Sequence, residues 1–313
     1  MTVYRIGAGW AADFSELDVG LGAQRFSPCS ASQPLSSGWI EPRGNANGHL
    51  VEAVAGQWLM KLQIEKKLLP ASVVKSRVEE RASQIEQTTG RKPGKRELRD
   101  LKDEAVLDLL PMAFSKRSAV TLWIDPKASL LIVDVGSQKR ADEAVTQLIK
   151  SAPGLSVTLL QSAVAPAVAM AGWLGSAEAP AGFTIDRECE LQSSDDMKSV
   201  VRYSRHALDV DDVRQHIGAG KLPTRLAMSW NDRVSFVLTE SLQLKKIAFL
   251  DGALDQTASS DDDRFDADAA IATGELRQLI PAMIEALGGD LDLIAQPAAA
   301  EPSPRAIDPA MAA

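Results

Sequence analysis

Apolar positions along the chain recur at two periods, and the switches between them mark out the elements. Thr2–Ile6 reads as a short strand, and Asp13 to Leu21 carries helical spacing. Phe26 to Gly48 is rich in Pro, Ser, Gly and Asn and reads mainly as loops. From Leu59 to Glu65, after Trp58, apolar and polar residues alternate, which predicts a half-buried strand. Pro70 then opens a helix near Ala71, with Val74, Val78, Ala82 and Ile85 three and four apart. Two glycines and a proline between Thr88 and Gly94 break that pattern. A second helix follows from about Lys95, with Leu98, Leu101, Ala105, Leu109 and Met112 on one face. The pair predicts a helical hairpin with a basic turn.

Beyond the hairpin, Thr121–Asp125 and Ser129–Val135 are strand candidates around a turn at Pro126, and Lys139 to Lys150 is a helix turning Ala144, Val145 and Leu148 inward. Strand, helix, strand and strand follow at 155–160, 163–174, 182–191 and 198–203. Asp209 offers an N-cap for a short helix ending near Gly218. Lys221–Trp230, Arg233–Thr239 and Leu244–Leu250 read as a strand meander, and Asp266 introduces a last helix through Leu276, Ile280 and Leu287. The sum predicts an α+β protein of antiparallel-rich sheets, peripheral helices and a projecting helical hairpin. The expected domains are a central α/β region (1–69 and 117–180), the hairpin (70–116), a second α+β region (181–290) and a disordered Ala/Pro-rich tail (291–313).

Charge changes this picture more than composition does. The formal charge is −8, yet residues 1–150 hold 21 Lys and Arg against 18 Asp and Glu, while residues 151–313 hold 13 against 24. An acidic chain with one basic half can still meet phosphates locally. Arg91, Lys92, Lys95, Arg96, Arg99 and Lys102 fall within twelve residues, opposed there only by Glu97 and Asp100. Lys95, Arg99 and Lys102 share a helical face, which suits phosphate contacts that need charge and reach but no base-edge geometry. Arg202, Arg205, Lys221 and Arg225 form a sparser second set. Neither set alternates with aromatics, so no single-strand stacking platform is indicated.

Candidate chemistry is sparse. His49, His206 and His216 lack metal-ligand spacing, and Cys29 and Cys189 stand alone, so neither a metal site nor a disulfide framework is expected. No phosphate-cradling glycine motif occurs, and no cofactor is expected. The one acidic cluster, Asp261–Asp268, fails as a calcium loop because Phe265 and Asp266 stand at a ligand and the glycine position. Its alternatives are helix-start carboxylates or part of a metal-dependent exonuclease site. No apolar run suggests a membrane span or a secretory leader, so the cytoplasm is expected.

Several segments in order resemble the RdgC family of recombination-associated proteins. They include Phe26-Ser-Pro-Cys29, Glu65-Lys-Lys-Leu-Leu-Pro70, Leu109-Leu-Pro-Met-Ala-Phe-Ser115, Leu122-Trp-Ile-Asp125, His216-Ile-Gly-Ala-Gly-Lys221, Leu226-Ala-Met-Ser-Trp230 and Arg264-Phe-Asp-Ala-Asp268. The resemblance covers roughly residues 2–289. It implies a ring-shaped homodimer, associated with the nucleoid, that passes duplex DNA through a positive hole and limits access of the RecA recombinase. By position it implies DNA contacts at Arg205, His206, Lys221 and Arg225 and a subunit contact at Phe114. Met112 stands where the family often has Arg. No catalytic residue is expected. A metal-dependent exonuclease and a protein-interaction module acting on the recombinase remain as alternatives.

Overall fold

The computed structural model describes residues 1–11, 13–195, 197–250 and 261–291, without the side chains of Asp261 and Asp262. The predicted tail, beyond Leu291, lies outside the described residues. The architecture is α+β with antiparallel sheets. Two compact units arise: Met1–Leu159 with Gln243–Glu275, and Leu160–Leu242 with the chain from Leu276.

The first unit contains β1 (Thr2–Ile6), α1 (Phe14–Gly22), β2 (Leu35–Ile40), β3 (Val51–Val54), β4 (Gln57–Leu68), α2 (Ala71–Thr89), α3 (Lys95–Leu109), β5 (Phe114–Asp125), β6 (Leu130–Asp134), α4 (Gln138–Ser151) and β7 (Val157–Leu159). Its sheet runs β2-β4-β5-β6-β1-β7, with β3 also on β4. The alternation from Leu59 onward does form a strand, and one longer than expected. β4 and β5 pair without a break from Trp58↔Ile124 to Leu68↔Phe114. At 3.3–3.4 Å per residue, each spans roughly 40 Å.

The core lies where α1 and α4 cover this sheet. Leu17 and Leu21 meet Ala141, Ala144 and Leu148 over Leu62, Val120, Leu122 and Leu131, all buried. α1 approaches so closely that a Cβ on Gly20 would lie 1.9 Å from the Ser151 carbonyl. The two helices are capped as their sequences suggest. Asp13 accepts from the Glu16 amide, and Ser137 from that of Arg140.

One loop expectation is corrected here. Phe26–Gly48 contains β2, paired with β4 from Leu35↔Lys66 to Ile40↔Lys61. Its serines and glycine read as turn residues, but strand pairing and burial decide its structure. Trp39 is fully buried and donates its indole N–H to Ser151 Oγ at 2.8 Å.

α2 starts after Pro70 and ends at Gly90, whose positive φ of 73° closes the helix as few other residues would. Gly94 precedes α3. Arg81 on α2 donates to Glu104 at 2.9 Å and to Asp108, both on α3. Leu101 and Ala105 are buried as expected, but Met112 is corrected: it lies 74 % exposed in a single 3-10 turn, Leu110–Met112. Pro111, with no amide hydrogen to donate, ends the helical period that would have turned Met112 inward.

The second unit holds α5 (Pro166–Ser176), β8 (Phe183–Ser193), β9 (Val200–Ser204), α6 (Asp211–Gly218), β10 (Lys221–Trp230) and β11 (Val234–Thr239), with strand order β11-β10-β8-β9. Phe183 and Phe236 meet edge to face at 6.3 Å. The N-cap of α6 is Val210, not Asp209, and no side chain caps it. The carboxylates of Asp211 and Asp212 instead sit in its first turn, where the helix dipole favours them.

The chain then returns through β12 (Leu244–Phe249). The Met1 ammonium donates to the carbonyls of Leu244 (2.7 Å) and Val135 (3.0 Å). α7 (Asp261–Ala286) begins five residues before the predicted Asp266. Three successive aspartates precede Arg264, and carboxylates are tolerated at a helix start. Arg43 secures this end: its guanidinium bonds Asp266 at 2.6 Å and Glu52 at 3.0 Å, and lies over the Phe265 ring. The later part of α7 leads into a tie in the second unit, where the amides of Ala163 and Val164 donate to the carbonyls of Gly289 and Leu287.

Candidate nucleic-acid interface

The predicted basic residues divide by whether the protein neutralises them. In the first unit, Arg91 donates twice to Glu97, at 2.9 and 3.4 Å, and Arg91 is the main reason that the Glu97 carboxyl titrates below its usual range. Lys92 lies 3.9 Å from Glu86, an acid contributed by α2 that a count along one helix overlooks. Lys95, Arg96, Arg99 and Lys102 are exposed on α3 and enter no ion pair among the described residues. Their charge is available to a partner.

Sequence reasoning missed a further basic site on the long ladder. Lys66 and Lys116 stand directly opposite one another on β4 and β5, both exposed and neither in an ion pair among the described residues. Like charges in facing positions weaken a ladder, so this arrangement costs stability unless an anion covers it. Arg140 of α4 reaches Ser118 Oγ, one register step further along the same face. The alternation of β5 could have revealed the pair, since Lys116 and Ser118 share parity with Val120 and Leu122. Seeing it required the register with β4.

Beside this ladder, α2, α3 and the end of β4 line an open cavity of about 860 Å³. Leu68, Val74, Val78, Leu98, Val106 and Leu110 supply apolar walls, and Lys66, Lys67, Lys75 and Lys102 its cations. Lys67 is 91 % buried and donates to the carbonyls of Ala31 (3.1 Å) and Leu110 (2.9 Å). Glu65, two residues earlier on the same face of β4, accepts from Arg117 Nε at 2.5 Å and the Cys29 amide at 3.0 Å. These bonds, Arg117's foremost, lower the Glu65 pKa. Phe114 opens β5 with 85 % of its surface exposed, an unusual state for a phenyl ring.

The second unit holds the other set. Arg205 follows β9 in the left-handed region (φ 55°), a conformation uncommon outside glycine. It is exposed, and no ion pair engages it among the described residues. Beside it, His206 places Nδ1 2.6 Å from the Ala207 carbonyl and its ring 5.7 Å from that of Tyr203. Lys221, at the start of β10, lies 3.3 Å from His216 Nδ1. Arg225 and Arg202 are held by Glu190 on the strand between them, at 4.0 and 2.6 Å. Burial alone would raise the Glu190 pKa. The hydrogen bonds from Arg202 and Thr224 and the arginine charges outweigh it and lower it. Arg225 is thus half-spent within the protein, whereas Arg205 is not.

Cys189 is buried, and burial pushes its thiol up to about 12. Among the described residues no three His, Cys, Asp or Glu side chains gather to hold a metal ion. Of the Asp261–Asp268 cluster, Asp266 is taken up by Arg43, and the side chains of Asp261 and Asp262 lie outside the described residues. No described helix is long and apolar enough to cross a membrane.

Comparison with known proteins agrees with the resemblance. A family model described as "Putative exonuclease, RdgC" matches residues 1–290. The chain is 44 % identical over 293 residues to the recombination-associated protein RdgC of Herminiimonas arsenicoxydans, covering 93 % of this chain and 97 % of the relative. It is 40 % identical over 297 residues to that of Dechloromonas aromatica (93 % and 97 % covered) and 42 % over 304 residues to that of Burkholderia cenocepacia (96 % and 98 %). Both the family model and these relatives span nearly the whole chain, and on that ground it belongs to the RdgC family.

Proposed function

We propose that this protein binds duplex DNA without regard to sequence, as a ring-forming homodimer and without catalysis, and so restricts access of the RecA recombinase. The observation that carries the reading is the set of cations on the first unit that enter no ion pair among the described residues, above all Lys66 facing Lys116 across the ladder. Exposed Lys and Arg without base-reading geometry bind phosphates by releasing counterions, which gives affinity without sequence preference. Lys95, Arg96, Arg99 and Lys102 extend that surface along a hairpin of α2 and α3, with Arg91 and Lys92 at its turn. Arg205, His206, Lys221 and Arg225 make a second DNA-facing set. The role in recombination rests on the name that the relatives carry, and the place at the nucleoid on the family resemblance alone.

Dimer formation is supported by Phe114. A ring this exposed gains by burial on another surface, and the apolar cavity between α2 and α3 is a fitting receptacle on a second copy.

Fluorescence anisotropy with unrelated duplexes across a salt series tests the reading. Affinity should be alike for all sequences, with log K falling by about 0.9 per neutralised phosphate for each unit of log salt. Lys95→Glu combined with Arg99→Glu should weaken binding and flatten that slope. Longer retention on closed circles than on linear duplex is the expected mark of encirclement. No binding at low salt would remove the DNA role and leave direct action on the recombinase. Magnesium-dependent degradation of the duplex would restore the exonuclease reading.

A further inference from the structure

The cavity between α2 and α3 has a property that an apolar ring alone does not satisfy. Its walls are aliphatic, yet Lys67, a residue nine-tenths buried, lines it with an ammonium held by two carbonyls and by no carboxylate among the described residues. A buried cation without a counter-charge is costly, and carbonyl dipoles compensate it only in part. Lys66, Lys75 and Lys102 add three more cations to the lining against one acid, the exposed Glu79, which lies 3.6 Å from Lys75. The best occupant therefore combines apolar bulk with negative charge.

The Phe114 segment of a second copy brings the bulk without the charge. No acidic residue lies between Leu109 and Ile124, and Lys116 and Arg117 follow Phe114 closely. A cavity of about 860 Å³ also exceeds what one phenyl ring fills, since whole drug-sized ligands occupy pockets of roughly 300–1,000 Å³.

We propose that this groove is a docking site for an acidic segment of another protein, in which aromatic or branched aliphatic residues are flanked by carboxylates. Its side chains enter between Val74, Val78, Leu98 and Val106, while its carboxylates meet Lys67, Lys75 and Lys102. On the reading that the same groove receives Phe114, such a segment competes with ring closure and releases the protein from DNA.

A fluorescein-labelled synthetic peptide of about twelve residues, with Asp alternating with Phe and Leu, tests this on the full chain. The same peptide with Asn for every Asp is the control. The acidic peptide should bind at least about tenfold more tightly, and both Lys67→Met and Lys75→Glu should weaken it. Lys75 is exposed, so its substitution keeps the test valid if Lys67→Met fails to fold. Equal binding of the two peptides, no binding, or indifference to Lys75→Glu overturns the proposal. Sedimentation separates it from the reading on which the competition rests. Lys75-dependent peptide binding with an unchanged dimer upholds the docking site and removes Phe114 from the groove. A dimer broken by Phe114→Ala in a chain that ignores the peptide does the reverse.

Discussion

Asp18 sits where α1 meets the segment before β3 and accepts from the amides of Leu50 (2.8 Å) and Val51 (3.3 Å), with His49 Nδ1 at 2.8 Å. Burial alone would raise its pKa, but these hydrogen bonds outweigh burial and lower it, while the bond to Asp18 raises that of His49. The signs define a window. His49, with its folded pKa raised, adds stability that is fully present below its unfolded value of about 6.5. That stability is lost as pH rises through the folded value. Asp18, with its folded pKa lowered, adds stability above about 3.9 that is lost as pH falls through its folded value. In an NMR titration the His49 ring should change charge above the pH of free histidine, and Asp18→Asn should abolish the difference. An unmoved midpoint would refute the pairing. Trp39 tests a different force: truncating a fully buried indole to Ala should cost about 3–5 kcal/mol in urea unfolding. Neither arrangement was legible in the sequence. His49 was weighed only as a metal ligand, and Trp39 lay in a stretch read as loop, because both depend on partners more than 30 residues away.

Helices with a clear apolar period were legible, and α1, α2, α3 and α4 start within one residue of where the spacing puts them. Their ends and caps were less so. Several aspartates stand near the start of α6, and the spacing alone does not say which residue precedes its first turn. The α1–α4 contact gives a paired test of element packing. Gly20→Ala places a methyl against the Ser151 backbone and should destabilise by roughly 1–3 kcal/mol. Gly22→Ala meets nothing within 4 Å and should be neutral or stabilising by up to about 1 kcal/mol. Equal thermal shifts for the two would mean that the helices do not approach as described. On α3, Lys95, Arg96, Arg99 and Lys102 are exposed and enter no ion pair among the described residues. What the sequence hid was their thinning elsewhere, by Glu86 across the turn and by Glu190 between two strands.

For the molecule as a whole, a ligand that covers Lys66 and Lys116 removes a repulsion present only in the folded chain, so on the proposed reading duplex DNA should raise the melting temperature. Added salt should erase the shift, and a shift indifferent to salt would point to some other mode of binding. Lys116→Gln is expected to raise the melting temperature of the free protein while shrinking the DNA-induced gain. The ladder that carries this pair has a further consequence for how such a chain can change length. From Trp58↔Ile124 to Leu68↔Phe114 every residue of β4 has a fixed opposite number. Deleting one residue from β5 between Ser118 and Thr121 would turn each later side chain on that strand to the other face or carry Phe114 to the wrong side. The turn between Gly90 and Gly94 has no such bookkeeping. Insertions and deletions should therefore be tolerated between α2 and α3 and rejected along the ladder, so that the length of that connection can drift while the face that carries Phe114 cannot.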